Sequence, residues 1–483
     1  MNRRLYTGYA AVVVLSIALA AGSGHYWLAG LPLLLWICIQ AAVDIRPFFG
    51  LLLVMIPLGT EIQLPGGMGT DLPTEPIAVG LTGWLLLHAA RHWPEYDHRT
   101  FLHPIALLLY LHVAWILVAS GFGELKLISL KFSLAKLWYV GAFFLLPLLL
   151  LRTPRAVTLF AHCVFWPLLF VAVQTLVRHA GYGFSFADQF RTMSPFMRNH
   201  VSYAGCLATF SPWLGYLIWY RRREGKTYRW MVYLLLPLWV AAIFFSYTRA
   251  AYIALFLAGM GFLLIRRHLL RPAVTLAFVA AAAVAVYFVY DNNYLEYAPN
   301  YDTTIAHQEF DNLISATYKL EDISTMERFY RWVAGGNMVP YRPWTGFGPG
   351  SFVELYQAYT NNNFQTYVSD NEDRSGIHNY FLMTLVEQGY PGLLFLLAFL
   401  IGIFYYGQSL YARQSDPAAR AAVVASLLSV TIVAAFSIIN DLLETDKVGS
   451  LFFISTAILI TMGKFRRPAT LPPVTTGTPP QRY

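Results

Sequence analysis

Along most of the chain apolar residues do not alternate with polar ones; they run together. Predominantly apolar stretches cover roughly 5–22, 27–43, 47–59, 76–91, 103–121, 133–151 and 155–177, then roughly 200–220, 230–247, 250–265, 272–290, 380–408, 419–439 and 448–463. Most have the length of about 17–25 residues that a helix needs to cross a hydrocarbon core of about 30 Å. With no water to satisfy backbone groups there, helices are the expected elements. The pattern predicts an all-α fold, a polytopic transmembrane helical bundle of about 12–14 spans. The short third stretch fits either a span or a re-entrant segment.

One long polar interruption, about Asp291 to Gly376, breaks the pattern. It divides the chain into a bundle over 1–290, a loop over 291–377 and closing spans over 378–465. A Pro/Thr-rich cytoplasmic tail over 466–483 reads as disordered. Within the loop, residues 291–312 are acidic and aromatic and suggest an irregular excursion. Phe329, Trp332 and Val333 are spaced for one helix face from Ser324 to about Met338, with Thr325 able to cap it. Gly346-Phe347-Gly348-Pro349-Gly350 reads as a turn, and Ser351 to about Thr360 as a second short helix.

Composition agrees with a membrane class. Hydrophobic residues make up 57% and charged residues 12% of 483 residues, and mean hydropathy is +0.49. So little charge could not cover a soluble protein of this size. The net charge of +8 does not point to nucleic acid, because most Lys and Arg lie in short loops between spans. Placing Arg3 and Arg4 in the cytoplasm and alternating puts Arg221, Arg222, Arg223, Lys226 and Arg229 inside, with Arg266, Arg267 and Arg271 and the tail. Both termini are then cytoplasmic, the first apolar run is an uncleaved span, and the long loop is periplasmic. Cys38, Cys163 and Cys206 lie in apolar runs without disulfide or zinc spacing.

The basic residues left on the outer face are the informative ones. Arg198 precedes a span, Arg249 sits between two spans with barely a turn of chain around it, and Arg328 and Arg331 lie in the loop. An arginine at such a junction calls for a fixed anionic partner or for snorkelling to the headgroups. A guanidinium fork matches phosphate oxygens and keeps its charge where solvation is poor. His378 opens the span after the loop, where a neutral imidazole can act as a general base. Asp370, Glu372 and Asp373 match no cation-loop motif. His88 and His92 have the i, i+4 spacing of a metal pair, but beside Arg91 they read as interfacial anchors. Gly346-Phe347-Gly348 lacks the preceding strand and the Gly-Lys ending of a nucleotide loop.

Four pieces in order resemble the O-antigen ligase/polymerase superfamily of bacterial membrane glycosyltransferases. Ser246-Tyr247-Thr248-Arg249-Ala250 is similar to its Ser/Thr-Arg-small element, and Arg328 with Trp332 to its Arg-x-x-x-Trp element. Thr345-Gly346-Phe347-Gly348-Pro349-Gly350-Ser351-Phe352 resembles its glycine turn. His378-Asn379 with Glu387-Gln388-Gly389 resembles its His-Asn…Glu-x-Gly helix. The resemblance implies transfer of a glycan from undecaprenyl pyrophosphate to an acceptor hydroxyl, lipid A-core foremost, at the periplasmic face of the inner membrane. It implies an inverting reaction without metal or other cofactor. His378 would be the base, with Arg249, Arg328 and Arg198 on the pyrophosphate. Asn379, Glu387, Tyr247, Trp332, Gly346 and Gly348 would be supporting residues. Glu327 stands where the family commonly has glycine, within reach of Arg331 or Arg328. The motifs do not separate a ligase from a repeat-unit polymerase or a protein oligosaccharyltransferase. A flippase or transporter would share the spans and arginines, but it would show repeated halves and polar residues through the midplane; neither is visible here.

Overall fold

The computed structural model describes residues 12–20, 31–64, 68–225, 229–298, 323–366, 369–371 and 374–465. Residues 299–322 and the tail 466–483 lie outside the described residues, as does half of the first apolar run; of the acidic, aromatic stretch 291–312 only 291–298 are described, in a 3₁₀ segment over Tyr290–Tyr297. What is described is a helical bundle. Its longer helices are α1 (Leu31–Val43), α2 (Arg46–Leu58), α3 (Thr74–His92), α4 (Pro104–Phe122) and α5 (Lys126–Leu150). They continue with α6 (Pro154–Ala180), α7 (His200–Arg223), α8 (Met231–Phe244), α9 (Arg249–Arg266) and α10 (Leu270–Val289). The loop contributes α11 (Ile323–Met338), and the chain closes with α12 (Tyr380–Arg413), α13 (Pro417–Phe436) and α14 (Asp446–Lys464).

Among the described residues, eight helices are long and apolar enough to cross a membrane: α4, α5, α6, α9, α10, α12, α13 and α14. The protein is a polytopic, all-α membrane protein. Among the described residues, the other apolar runs form shorter or more polar helices. At 13 residues α2 reaches only about 20 Å, and α7 carries Ser, Thr and Tyr before ending in three arginines.

Burial is graded across the bundle. Helix α14 is almost wholly buried, and α7 and α13 pack against it as the core. Helix α10 is at the other extreme, with no buried residue in its spanning window. Two ion pairs sit inside this core, Lys136 Nζ to Glu444 at 2.6 Å and Lys447 Nζ to Asp446 at 3.5 Å. Each cation is held beside its anion, as burial requires. The connection after α2 forms the only strands among the described residues, an antiparallel hairpin of β1 (Thr60–Leu64) and β2 (Met68–Leu72) with Thr60 opposite Leu72.

In the loop, α11 is described from Ile323 onward, so Thr325 lies within the helix and not at its cap. The second loop helix is a single α turn, Phe352–Leu355, followed by a 3₁₀ turn, Tyr356–Tyr359.

Candidate functional site

Three helices begin at one end of the bundle, and the candidate residues gather at their first turns. Asn199 caps α7 by accepting from the Ser202 amide at 2.8 Å, and Asn379 caps α12 by accepting from Leu382 at 3.0 Å. Helix α9 begins at Arg249 itself. The turn before it is tight: Tyr247 takes a left-handed φ of 49°, and its hydroxyl donates to the Phe184 carbonyl at 2.7 Å. Thr248 Oγ1 donates to the carbonyl of His200 at 3.3 Å. The starts of α7 and α9 are thereby tied together.

The charges on these elements act on one another. Arg249 and Arg328 both bear electrostatically on His200. Arg328 and Arg331 bear on His378, and Arg198 and Arg331 on Asp441. Residues from five separate places in the chain therefore share one neighbourhood. Arg198 is its outermost member, with most of its side chain exposed and its Nε 3.9 Å from Glu61 of the hairpin.

His378 has a left-handed φ of 55°, a conformation that needs support on both sides. On one side Trp332 Nε1 donates to the Ile377 carbonyl at 2.9 Å. On the other, the Tyr380 amide donates to Ser437 at 2.8 Å. The half-buried imidazole places Nδ1 4.0 Å from Asp441 Oδ1 and makes no hydrogen bond through Nδ1 among the described residues. Burial, then the cations Arg328 and Arg331, hold the His378 pKa down to about 3, so the ring is neutral at pH 7. Burial pushes the Asp441 carboxyl up, opposed in part by Arg198 and Arg331. Gly376 makes room for this carboxylate, since a Cβ there would lie 2.5 Å from Asp441 Oδ2.

The glycine turn and Glu387 form a separate, structural joint. Gly389 (φ 70°) breaks α12 and leaves carbonyls without helical partners. The Phe347 amide donates to Val386 O and the Gly348 amide to Glu387 O, each at 3.0 Å. The Glu387 carboxylate accepts in return from the amides of Gly350 at 2.8 Å and Phe352 at 3.0 Å. Gly346 and Gly348 have φ of 66° and 103°, and a side chain on Gly346 would strike the α12 backbone. The close approach these glycines permit is to protein backbone.

Glu327 pairs with Arg331 (Nη2 to Oε2, 3.3 Å) and also accepts from Ser369 Oγ at 2.7 Å and from Thr366. That buried cluster stitches α11 to the rest of the loop. Arg328, one position on, contacts Ser324 Oγ at 3.0 Å. Sequence reasoning missed two members of the neighbourhood, His200 and Asp441. Asp441 did leave a signal, an acidic residue in the narrow gap between two apolar runs.

A comparison with family models gives a match over residues 232–397 to the one described as O-antigen ligase. Over these residues the chain is similar to the O-antigen ligase family. The match takes in Arg249, Arg328, the glycine turn, His378 and Glu387, while Arg198, His200 and Asp441 fall outside the matched residues. No curated protein matches the chain. The O-antigen ligase domain and the eight apolar helices together describe a multi-pass bacterial membrane protein. They also describe a glycosyltransferase-like enzyme acting on lipid-linked glycans. Among the described residues no three His, Cys, Asp or Glu side chains group as a metal site would need. His88 stacks between Trp84 and His92 and meets Tyr96 Oη at 2.7 Å.

Proposed function

We propose that the protein is an O-antigen ligase that transfers a glycan from undecaprenyl pyrophosphate to a hydroxyl of lipid A-core at the periplasmic face. The observation that carries this reading is a neutral imidazole set among arginines where three helices begin. A pyrophosphate leaving group needs fixed cations, and an acceptor hydroxyl needs an unprotonated base. In this scheme His378 takes the acceptor proton while the acceptor oxygen attacks the anomeric carbon. The bond from that carbon to the pyrophosphate oxygen breaks with its electron pair, and configuration inverts. Arg249 and Arg328 hold the departing anion, and Arg198 meets its outer end. The proton rests on His378, where Asp441 stabilises the imidazolium and orients the ring.

Bound pyrophosphate also offsets the repulsion from Arg328 and Arg331. The base therefore becomes stronger when donor is present.

Purified protein with lipid-linked glycan, lipid A-core and EDTA tests the reading. Glycosylated lipid A-core is the expected product. A lengthened glycan instead would make the protein a polymerase. Movement of donor across vesicles with no product would make it a flippase.

A further inference from the structure

The turn between α11 and the glycine joint lies deeper than a surface loop should. Trp115 of α4 donates through Nε1 to the carbonyl of Gln388 at 2.8 Å, and His112 contacts the Gln388 side chain at 3.1 Å. Trp115 is about 10 Å below Phe122, the site-side end of that span, at 1.5 Å per residue. The break in α12 therefore sits one to two turns beneath the end of the neighbouring helix. Pro343 is bonded to this break, its carbonyl accepting from the Tyr390 amide at 2.8 Å. Arg342 supports the same depth. Its guanidinium reaches back to the Phe122 carbonyl (3.2 Å) and to Glu124 (3.0 Å), as a basic side chain does when its backbone lies below the headgroups.

At that level the turn leaves large aromatics uncovered. Tyr341 and Trp344 are each 70% exposed and Tyr390 is 52% exposed. Leu394, one turn further along the same face of α12, is also exposed, so the surface continues into the lipid-facing side of a span. Irregular backbone is tolerated at membrane depth only where its polar groups are satisfied. Here Pro340 and Pro343 have no amide hydrogen to satisfy, and the amides of Arg342 and Gly346 bond back to Val339 and Arg342. Tyrosine and tryptophan are the side chains suited to the boundary between acyl chains and headgroups.

We propose that the Tyr341–Trp344 turn is seated in the bilayer. With Tyr390, it contacts the glycerol and upper acyl region of phospholipids in the leaflet on the site side. The loop carrying Arg328 is thereby held at a fixed height above the membrane. This inference does not depend on the reaction assigned above. It is tested in nanodiscs, with Cys38, Cys163 and Cys206 replaced and a fluorophore attached at Trp344→Cys or Tyr341→Cys. Quenching by lipids spin-labelled on the acyl chain is compared with quenching by aqueous iodide. Arg374→Cys, an exposed loop position, marks the water side.

Lipid quenching stronger than iodide quenching at 341 and 344, with the reverse at 374, is the expected result. Stronger iodide quenching at 341 and 344 would overturn the proposal, whether water or a glycan normally covers the turn. Quenching by neither agent would place the side chains inside the protein and overturn it as well. Should the labelled variants not fold, Trp344→Phe in the otherwise native chain reads the same point: it should remove part of the lipid-quenched tryptophan emission.

Discussion

At the scale of single residues, the central feature is a histidine kept uncharged by its surroundings. Loss of a positioned general base costs on the order of 10²–10⁴ in rate, so His378→Ala should abolish measurable transfer while membrane insertion is unchanged. Asp441→Asn keeps the size of the side chain and removes its charge, so it should lower kcat more than it raises KM. The pH dependence follows from the sign of the shift. The imidazole pKa falls from 6.5 to about 3 on folding, so the unfolded chain binds more protons between those values. Stability from this group is present above pH 6.5 and declines as pH falls toward 3. On the proposal that bound pyrophosphate strengthens the base, the acid limb of kcat should lie at higher pH than that of kcat/KM. Steady-state rates across the pH range separate the two limbs, and coincident limbs would remove the coupling. The position of a histidine at a span start was legible in the sequence; its neighbour was not, because Asp441 lies 63 positions away in another connection.

The helices and turns explain why the site holds its form. The glycine turn was readable as a turn, but its seat was not, since nothing in Gly346–Gly350 indicates a break in a helix some forty residues on. Gly389 creates that break and Glu387 fills it. Glu387→Ala would remove two charge-assisted bonds to backbone amides, a loss of about 3 kcal/mol or more. The expected outcome is faster proteolysis of the loop with the spans intact. Gly346→Ala should act in the same direction, through the α12 backbone that its methyl would meet. Glu327 illustrates the opposite lesson. Its departure from the common glycine is accommodated locally, because Arg331 one turn away takes its charge and two hydroxyls complete its bonding.

Over the whole molecule, hydropathy alone established a membrane-spanning helical protein, because continuous apolar runs admit few other folds. Which helices form the core was hidden from it. The lipid-facing α10 and the buried α14 both read as apolar runs, and only packing separates them. Buried charge gave a further clue that hydropathy averages away: Lys136 lies in α5, and its carboxylate partner Glu444 also accepts from Tyr380 Oη at 2.6 Å, two residues after His378. Lys136→Met would leave Glu444 uncompensated, a change that costs about 3–5 kcal/mol for a buried pair. Lower thermal stability in detergent is the expected readout. The proposed site sets a base among arginines at one end of this bundle. Its most direct test measures donor binding and glycan transfer side by side, in nanodiscs, for the wild type and His378→Ala. Retained binding of lipid-linked glycan with transfer abolished is the predicted result. Transfer at the wild-type rate by His378→Ala would contradict the account.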